Sequence, residues 1–186
     1  MSFVSYFING ISLGSVYALI ALGYTMVYGI AKMLNFAHGD VIMVGAYVCF
    51  FAMTGLSPMF EAGSMAAAVV PALAGVVLSM AVCTVLGVVI EGLAYKPLRQ
   101  APSLAVLITA IGVSYFLQNS ALILWSSSPK IFSPIVGSGS QKIGPLTISH
   151  VTLVTIAACV VIMLALTAFT GRTKMGKAMR AVSEDK

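Results

Sequence analysis

Long uncharged apolar runs alternate along this chain with short polar interruptions, and the lengths of the runs carry the first prediction. Residues 2–31 contain no charged side chain, and as one helix they would extend about 45 Å, well beyond a hydrocarbon core of roughly 30 Å. Residues 2–8 are therefore expected at the interface and 9–31 across the bilayer. The same reading places further spans at about 36–55, 65–90, 103–125 and 151–170. The predicted architecture is an all-α integral membrane protein with about five transmembrane helices, an extracytoplasmic loop at 126–150 and a cytoplasmic helix at 171–186.

Small residues mark the faces on which these helices should meet. Gly10, Gly14 and Ala18 recur every fourth position in the first span, and Pro71, Gly75, Ser79, Cys83, Gly87 and Glu91 form a longer row in the third. Such rows let helices approach closely where lipid supplies no hydrophobic drive for association. In the fourth span Ser114 and Gln118 share a face at i, i+4 with Asn119 beside it, a polar stripe expected inside the bundle. Pro97 and Pro102 argue against helix through 92–102, where Lys96 and Arg99 stand within reach of Glu91. In the 126–150 loop, two short apolar runs, 131–136 and 143–148, flank a Gly/Ser turn at 137–140 and read as a small hairpin, although Pro134 and Pro145 oppose regular strands. His150 reads as a capping or interfacial residue.

The polar interruption at 28–40, Tyr-Gly-Ile-Ala-Lys-Met-Leu-Asn-Phe-Ala-His-Gly-Asp, is the one with chemistry in it. It is either a loop at the membrane surface or a helix break lining a cavity, because ionisable groups next to lipid cost several kcal/mol unless partnered or wetted. Asn35 would cap a helix starting at Phe36, and Asp40 would sit in its first turn, where the helix dipole favours a carboxylate. Asn35, His38, Asp40, Gln118 and Asn119 are accordingly the pathway or gating candidates, with capping and interhelical hydrogen bonding as the plainer roles for the same side chains.

Composition narrows the classes. Only 8% of residues are charged, about a third of the share in a soluble domain, so soluble packing is by far the weaker explanation. The basic residues stand singly or in short clusters, which excludes a nucleic-acid face. With five alternating spans, Lys32, the 96–99 loop and the 172–186 tail fall on one side, cytoplasmic by the positive-inside rule, and the N-terminus is then external. If 33–55 re-enters without crossing, the N-terminus is cytoplasmic instead. Cys49, Cys83 and Cys159 lie inside apolar runs and read as packing residues. The few carboxylates are scattered over different spans, so no catalytic residues and no metal site are expected. Residues 1–11 lack the basic first region of a cleaved signal, so the first span is expected to remain.

The tail has its own pattern. Met175, Ala178, Met179 and Val182 fall at i, i+3, i+4 and i+7 among Lys174, Lys177 and Arg180, describing a basic amphipathic helix that enters a protein groove or lies on anionic lipid. The chain ends at Ser183-Glu-Asp-Lys186 without a helix terminator, as a truncated sequence would.

Several blocks together resemble the permease subunits of bacterial ABC importers for branched-chain amino acids, most closely the first of the two paired permeases. They are the run from Asn9 to Gly29, Asn35-Phe-Ala-His-Gly-Asp40, Glu91-Gly-Leu-Ala-Tyr-Lys-Pro-Leu-Arg99, Leu107-Ile-Thr-Ala-Ile-Gly112 with Phe116-Leu-Gln-Asn119, and Gly176-Lys-Ala-Met-Arg-Ala-Val-Ser-Glu-Asp185. The resemblance implies a bacterial inner-membrane location, a second related permease, two cytoplasmic ATPase subunits and a periplasmic binding protein. It also implies that ATP is bound by those partners. No cofactor is expected on this chain, which has no Gly-rich phosphate loop of its own. It makes 171–186 the segment that docks on the ATPase, with Met175, Lys177, Met179, Arg180, Glu184 and Asp185 as coupling candidates. Related permeases carry urea, amides or sugars, and a scaffold subunit that lines no pathway is the alternative from another class.

Overall fold

A computed structural model describes residues 3–32, 34–60, 64–98, 100–132, 139–143 and 146–184. Six α-helices are described: α1 Phe3–Ala31, α2 His38–Leu56, α3 Met65–Ile90, α4 Ser103–Trp125, α5 His150–Arg172 and α6 Lys174–Glu184, with strands β1 Ser140–Ile143 and β2 Leu146–Ser149 before α5. Among the described residues, five helical segments, comprising α1 to α5, are long and apolar enough to cross a membrane. Their packing is that of a membrane protein. The buried positions are largely small, including Ala37, Ala52, Ala110 and Ala121, while Val77, Met80, Val88 and Ile123 stand exposed. A soluble fold would reverse that arrangement.

The chain divides into two compact units, residues 1–32 with 136–186 and residues 33–135. In the first unit α1 is one unbroken helix of 29 residues, so residues 3–8 continue the span helically. Lys32 closes it at φ 52°, its N–H on the Tyr28 carbonyl, taking the left-handed conformation usually given to glycine. No side chain lies within contact of Gly10 or Gly14, so their row meets no helix among the described residues. The hairpin differs from the sequence expectation: Ser140 pairs with Ser149 and Ile143 with Leu146, so the paired segments are 140–143 and 146–149 rather than the runs 131–136 and 143–148. Residues 133–138, half of the expected pairing, lie outside the described residues. Ser149 caps α5 by accepting from the Val151 N–H at 3.3 Å, and His150 is the first helical residue, its ring against Gly139.

In the second unit α2 and α3 pack antiparallel on the small-residue row. Ser79 Oγ donates to the Gly45 carbonyl at 2.8 Å, and Cys83 Sγ donates to the Val41 carbonyl at 3.5 Å. A Cβ on Gly75 would stand 3.1 Å from the Cys49 carbonyl. The contacts step by four residues on each helix, and Pro71 at the head of the row is fully buried. The row does not stay buried to its end, because Gly87 and Glu91 are exposed. In this register the partner of Gly87 would be residue 37, one residue before α2 begins, so no helix remains to cover it.

Residues 92–98 are helical, against the expectation of a loop. α3 runs into a π turn, Glu91–Tyr95, and then a 3₁₀ turn, Lys96–Leu98. The Lys96 N–H reaches the Glu91 carbonyl, five residues back, and the ladder fails next at Pro97, which has no N–H to give. Arg99 lies outside the described residues.

Candidate functional site

The polar break is built into the second unit rather than laid over its surface. Ala37 is fully buried, in a cluster with Ile90, Tyr95, Val106, Ala110 and Leu117 from α3, the π turn and α4. Asn35 makes the turn that precedes α2. Its Oδ1 accepts from the Ala37 N–H at 3.1 Å and its carbonyl accepts from the His38 N–H at 3.2 Å. The helix therefore starts at His38, two residues later than expected, and Ala37 rather than Asn35 is the residue at the cap. The same Oδ1 accepts from the Tyr95 hydroxyl at 2.8 Å. This tie fastens the break to the π turn and gives that wide turn a purpose, since it presents Tyr95.

Asp40 is in the first turn of α2 and only 7% exposed. Ser114 Oγ donates to its Oδ2, and Gln118 Nε2 donates to its Oδ1 at 3.0 Å and to Ser114 Oγ at 3.1 Å. The polar stripe of α4 is thus the partner of the acidic residue of α2. Ser114 stands eleven residues into α4, about 16 Å from its start at 1.5 Å per residue. The carboxylate therefore faces the middle of a spanning helix, not its end.

Higher on the same seam the contacts become aromatic. Tyr47 stacks on Trp125 with ring centroids 4.5 Å apart, and Phe51 lies 6.2 Å from Trp125. The sequence offsets repeat: Asp40 meets residues 74 and 78 positions ahead, and Trp125 meets residues 78 and 74 positions behind. One register, with α2 and α4 parallel, accounts for both ends, a polar clamp below and an aromatic clamp above.

The other sequence candidates divide. His38 opens α2 two residues from Asp40, with its side chain half-buried. Asn119 is exposed and donates to the Tyr115 carbonyl of its own helix at 2.7 Å, so it does not join the cluster. Tyr95 and Ser114 were not singled out as candidates from the sequence. The signal for Ser114 was its i, i+4 spacing to Gln118. For Tyr95 there was none in periodicity or charge.

In the first unit, α6 folds back on the C-terminal ends of α1 and α5. Thr173 connects them: its hydroxyl donates to the Phe169 carbonyl at 2.6 Å and accepts from the Gly176 N–H at 3.1 Å, capping α6. Gly176 is buried, and a Cβ there would overlap the Thr170 carbonyl oxygen. Arg180 Nη2 donates to the Gly171 carbonyl at 3.3 Å. Gly176, Met179, Arg180 and Ser183 line a cleft of about 320 Å³ with Thr25, Met26 and Thr170 among others. The apolar stripe expected to act as one face is therefore divided. Met175 and Val182 are each 60% exposed and Ala178 is exposed with them, whereas Met179 turns into the cleft. The reason is Gly176, whose missing side chain sets which face of α6 can lie against α5. Lys177 and Glu184 are exposed, and Asp185 lies outside the described residues.

Comparison with known proteins gives the family. Residues 6–186 match the family model described as the permease component of the branched-chain amino acid transport system. The chain is 39% identical over 182 residues to the high-affinity branched-chain amino acid transport system permease protein BraD of Pseudomonas aeruginosa, covering 96% of this chain and 58% of that protein. It is 41% identical over 189 residues to the permease LivH of Escherichia coli K12, covering 98% and 59%, and 41% identical over 192 residues to LivH of Salmonella typhimurium, with the same coverage. The chain thus spans just under three fifths of the length of these relatives. No solved structure matches. An all-α chain with five bilayer-length helices, matched over nearly its whole length by these permeases, belongs to the branched-chain amino acid transport system permease family.

Proposed function

We propose that this chain is a membrane permease subunit of an ATP-driven importer that moves branched-chain amino acids across the bacterial inner membrane. In this reading a second related permease, two cytoplasmic ATPase subunits and a periplasmic binding protein complete the machine, and this chain itself catalyses no reaction. The observation that carries the reading is α6. It is held by Thr173, Gly176 and Arg180, and it keeps Met175, Ala178 and Val182 exposed at i, i+3 and i+7 beside Lys177. A held helix with an apolar outward stripe and cationic flanks suits insertion into a groove on another protein. ATP binding by that protein would then favour one arrangement of the bundle through its different contacts with α6 in the two states.

Uptake of labelled leucine by cells carrying this chain with its neighbouring transport genes tests the reading. Met175→Asp with Val182→Asp places two carboxylates on the outward stripe and leaves the capping and the cleft untouched. Loss of two anchors of this kind costs on the order of 2–4 kcal/mol of docking, a fall of roughly 30-fold to 1,000-fold in affinity. Uptake should collapse while the chain still inserts. Normal uptake by the double variant would remove α6 from the coupling role, and leucine uptake independent of the whole chain would remove the permease reading itself.

A further inference from the structure

We propose that Asp40 receives the primary ammonium group of the transported solute as it passes the α2–α4 seam. This inference rests on the permease reading above and adds the chemistry of one point on the pathway. A buried carboxylate that opens one spanning helix and faces the middle of another is costly unless it is compensated, and its usual compensation is a cation. The partners described for Asp40, Ser114 and Gln118, are both neutral. Each carboxylate oxygen accepts one described bond, and an ionised carboxylate offers about four acceptor positions. Among the described residues, two positions are therefore left for N–H donors.

Exposure rises across the cluster from Asp40 to Gln118. Asp40 is buried and Ser114 half-buried, but Gln118 is exposed and carries an amide oxygen that can accept a third N–H. An ammonium group has three such donors, and this set of acceptors matches it. Arriving at Gln118, it takes the positions left on Asp40 and the Gln118 amide oxygen and leaves the Ser114 bond standing. A carboxylate group on the solute finds no such partner here, because like charge faces it. Above the clamp the seam is apolar up to the Tyr47 and Trp125 stack, about 10 Å away along α2 at 1.5 Å per residue, so an aliphatic side chain can lie beside it.

Trp125 is the single tryptophan of the chain and belongs to the same seam, so its fluorescence reports on the clamp without labelling. The full chain in lipid nanodiscs is titrated with leucine, with isoamylamine, which lacks the carboxylate, and with 4-methylpentanoate, which lacks the ammonium. Leucine and isoamylamine should give saturable changes and 4-methylpentanoate none. Asp40→Asn should weaken both amine responses at least tenfold. Gln118→Leu alters an exposed position, leaves the Asp40 and Ser114 pair intact, and should weaken them three- to tenfold even if the Asn variant does not fold. An equal response to 4-methylpentanoate, unchanged titrations in both variants, or no saturable amine response overturns the proposal. Leucine uptake separates this from the reading beneath it: full uptake by Asp40→Asn overturns the ammonium site alone, and uptake that does not need the chain overturns the permease assignment.

Discussion

Gly176→Ala is the sharpest single test of how α6 is held, because two effects of one methyl group oppose each other. Alanine in place of glycine inside a helix is worth about 1 kcal/mol of helix propensity. A free-standing α6 would therefore become more helical. The seated α6 cannot accept the methyl, since a Cβ would overlap the Thr170 carbonyl oxygen and come within 2.7 Å of the Thr170 Cα. Both obstructing atoms are backbone, so no rotamer change relieves the overlap, and overpacking of this kind costs typically 1–3 kcal/mol. Against it stand the Arg180 bond to Gly171 and the half-burial of Met179, together on the order of 2–3 kcal/mol. The two sides are comparable, so a substantial fraction of molecules should release α6, and an eleven-residue helix without its support is marginal in water. Hydrogen exchange of the 177–184 amides reads the release directly: a 1.5–3 kcal/mol loss of seating corresponds to roughly 10-fold to 150-fold faster exchange. α1 and α5 should keep their protection, and uptake should fall with the protection of α6. Exchange that stays the same or slows in the variant would refute the seating of α6 on α5.

Tyr95→Phe removes the hydroxyl that donates to Asn35 Oδ1 and should lower stability by about 1 kcal/mol, read as an earlier unfolding midpoint in detergent. Gly45→Val adds carbon where a Cβ already comes 2.8 Å from Cys83 Sγ and 2.9 Å from Ser79 Oγ, so it should cost about 1–3 kcal/mol or more; an unchanged midpoint would mean that α2 and α3 are not packed this closely. Ser126 ends α4 at φ 65° and ψ 164°, a conformation nearly reserved for glycine, and Ser126→Gly should raise the midpoint by the equivalent of about 1 kcal/mol or more.

What could be read in advance follows from which interactions are local. The number of spans depends on run length alone. The α3 row of Pro71, Gly75, Ser79 and Cys83 depends on spacing within one helix, so counting in fours found the contact face. That count overran at Gly87 because where α2 starts is decided by the Asn35 turn, not by α3. The Asp40 clamp needed something a single helix does not contain, the register of α2 on α4. The sequence marked Asp40 and Gln118 separately, one as a first-turn acid and the other as part of a stripe, and nothing in either segment says that they meet. The hairpin was misplaced because two turn signals compete there, Gly137-Ser-Gly-Ser140 and Gly144-Pro145, and the paired strands flank the second. On α6 the amphipathic pattern was legible but its rotation was not. Counting only the apolar residues put Met179 with Met175 and Val182, when the residue that fixes the rotation is Gly176, which has no side chain to count.

The two seams of α2 differ in a way that bears on movement. Val41, Gly45 and Cys49 face α3, while Asp40, Tyr47 and Phe51 face α4, and at 100° per residue the centres of these two faces lie about 140° apart. On the α3 side the contact is made by small side chains against backbone carbonyls, so close that a Cβ on Gly45 would come 2.8 Å from Cys83 Sγ and one on Gly75 3.1 Å from the Cys49 carbonyl. The α4 side is held instead by a carboxylate, an amide, a hydroxyl and stacked rings. Those groups can exchange one partner for another without a change in helix separation. If the second unit changes shape during transport, the economical division keeps α2 and α3 as one body and shifts α4 along the seam, because that seam offers alternative partners and the other is already closely packed. The acidic side chain and the single tryptophan then sit on the boundary that moves, which is where a solute group could bias the equilibrium between two arrangements.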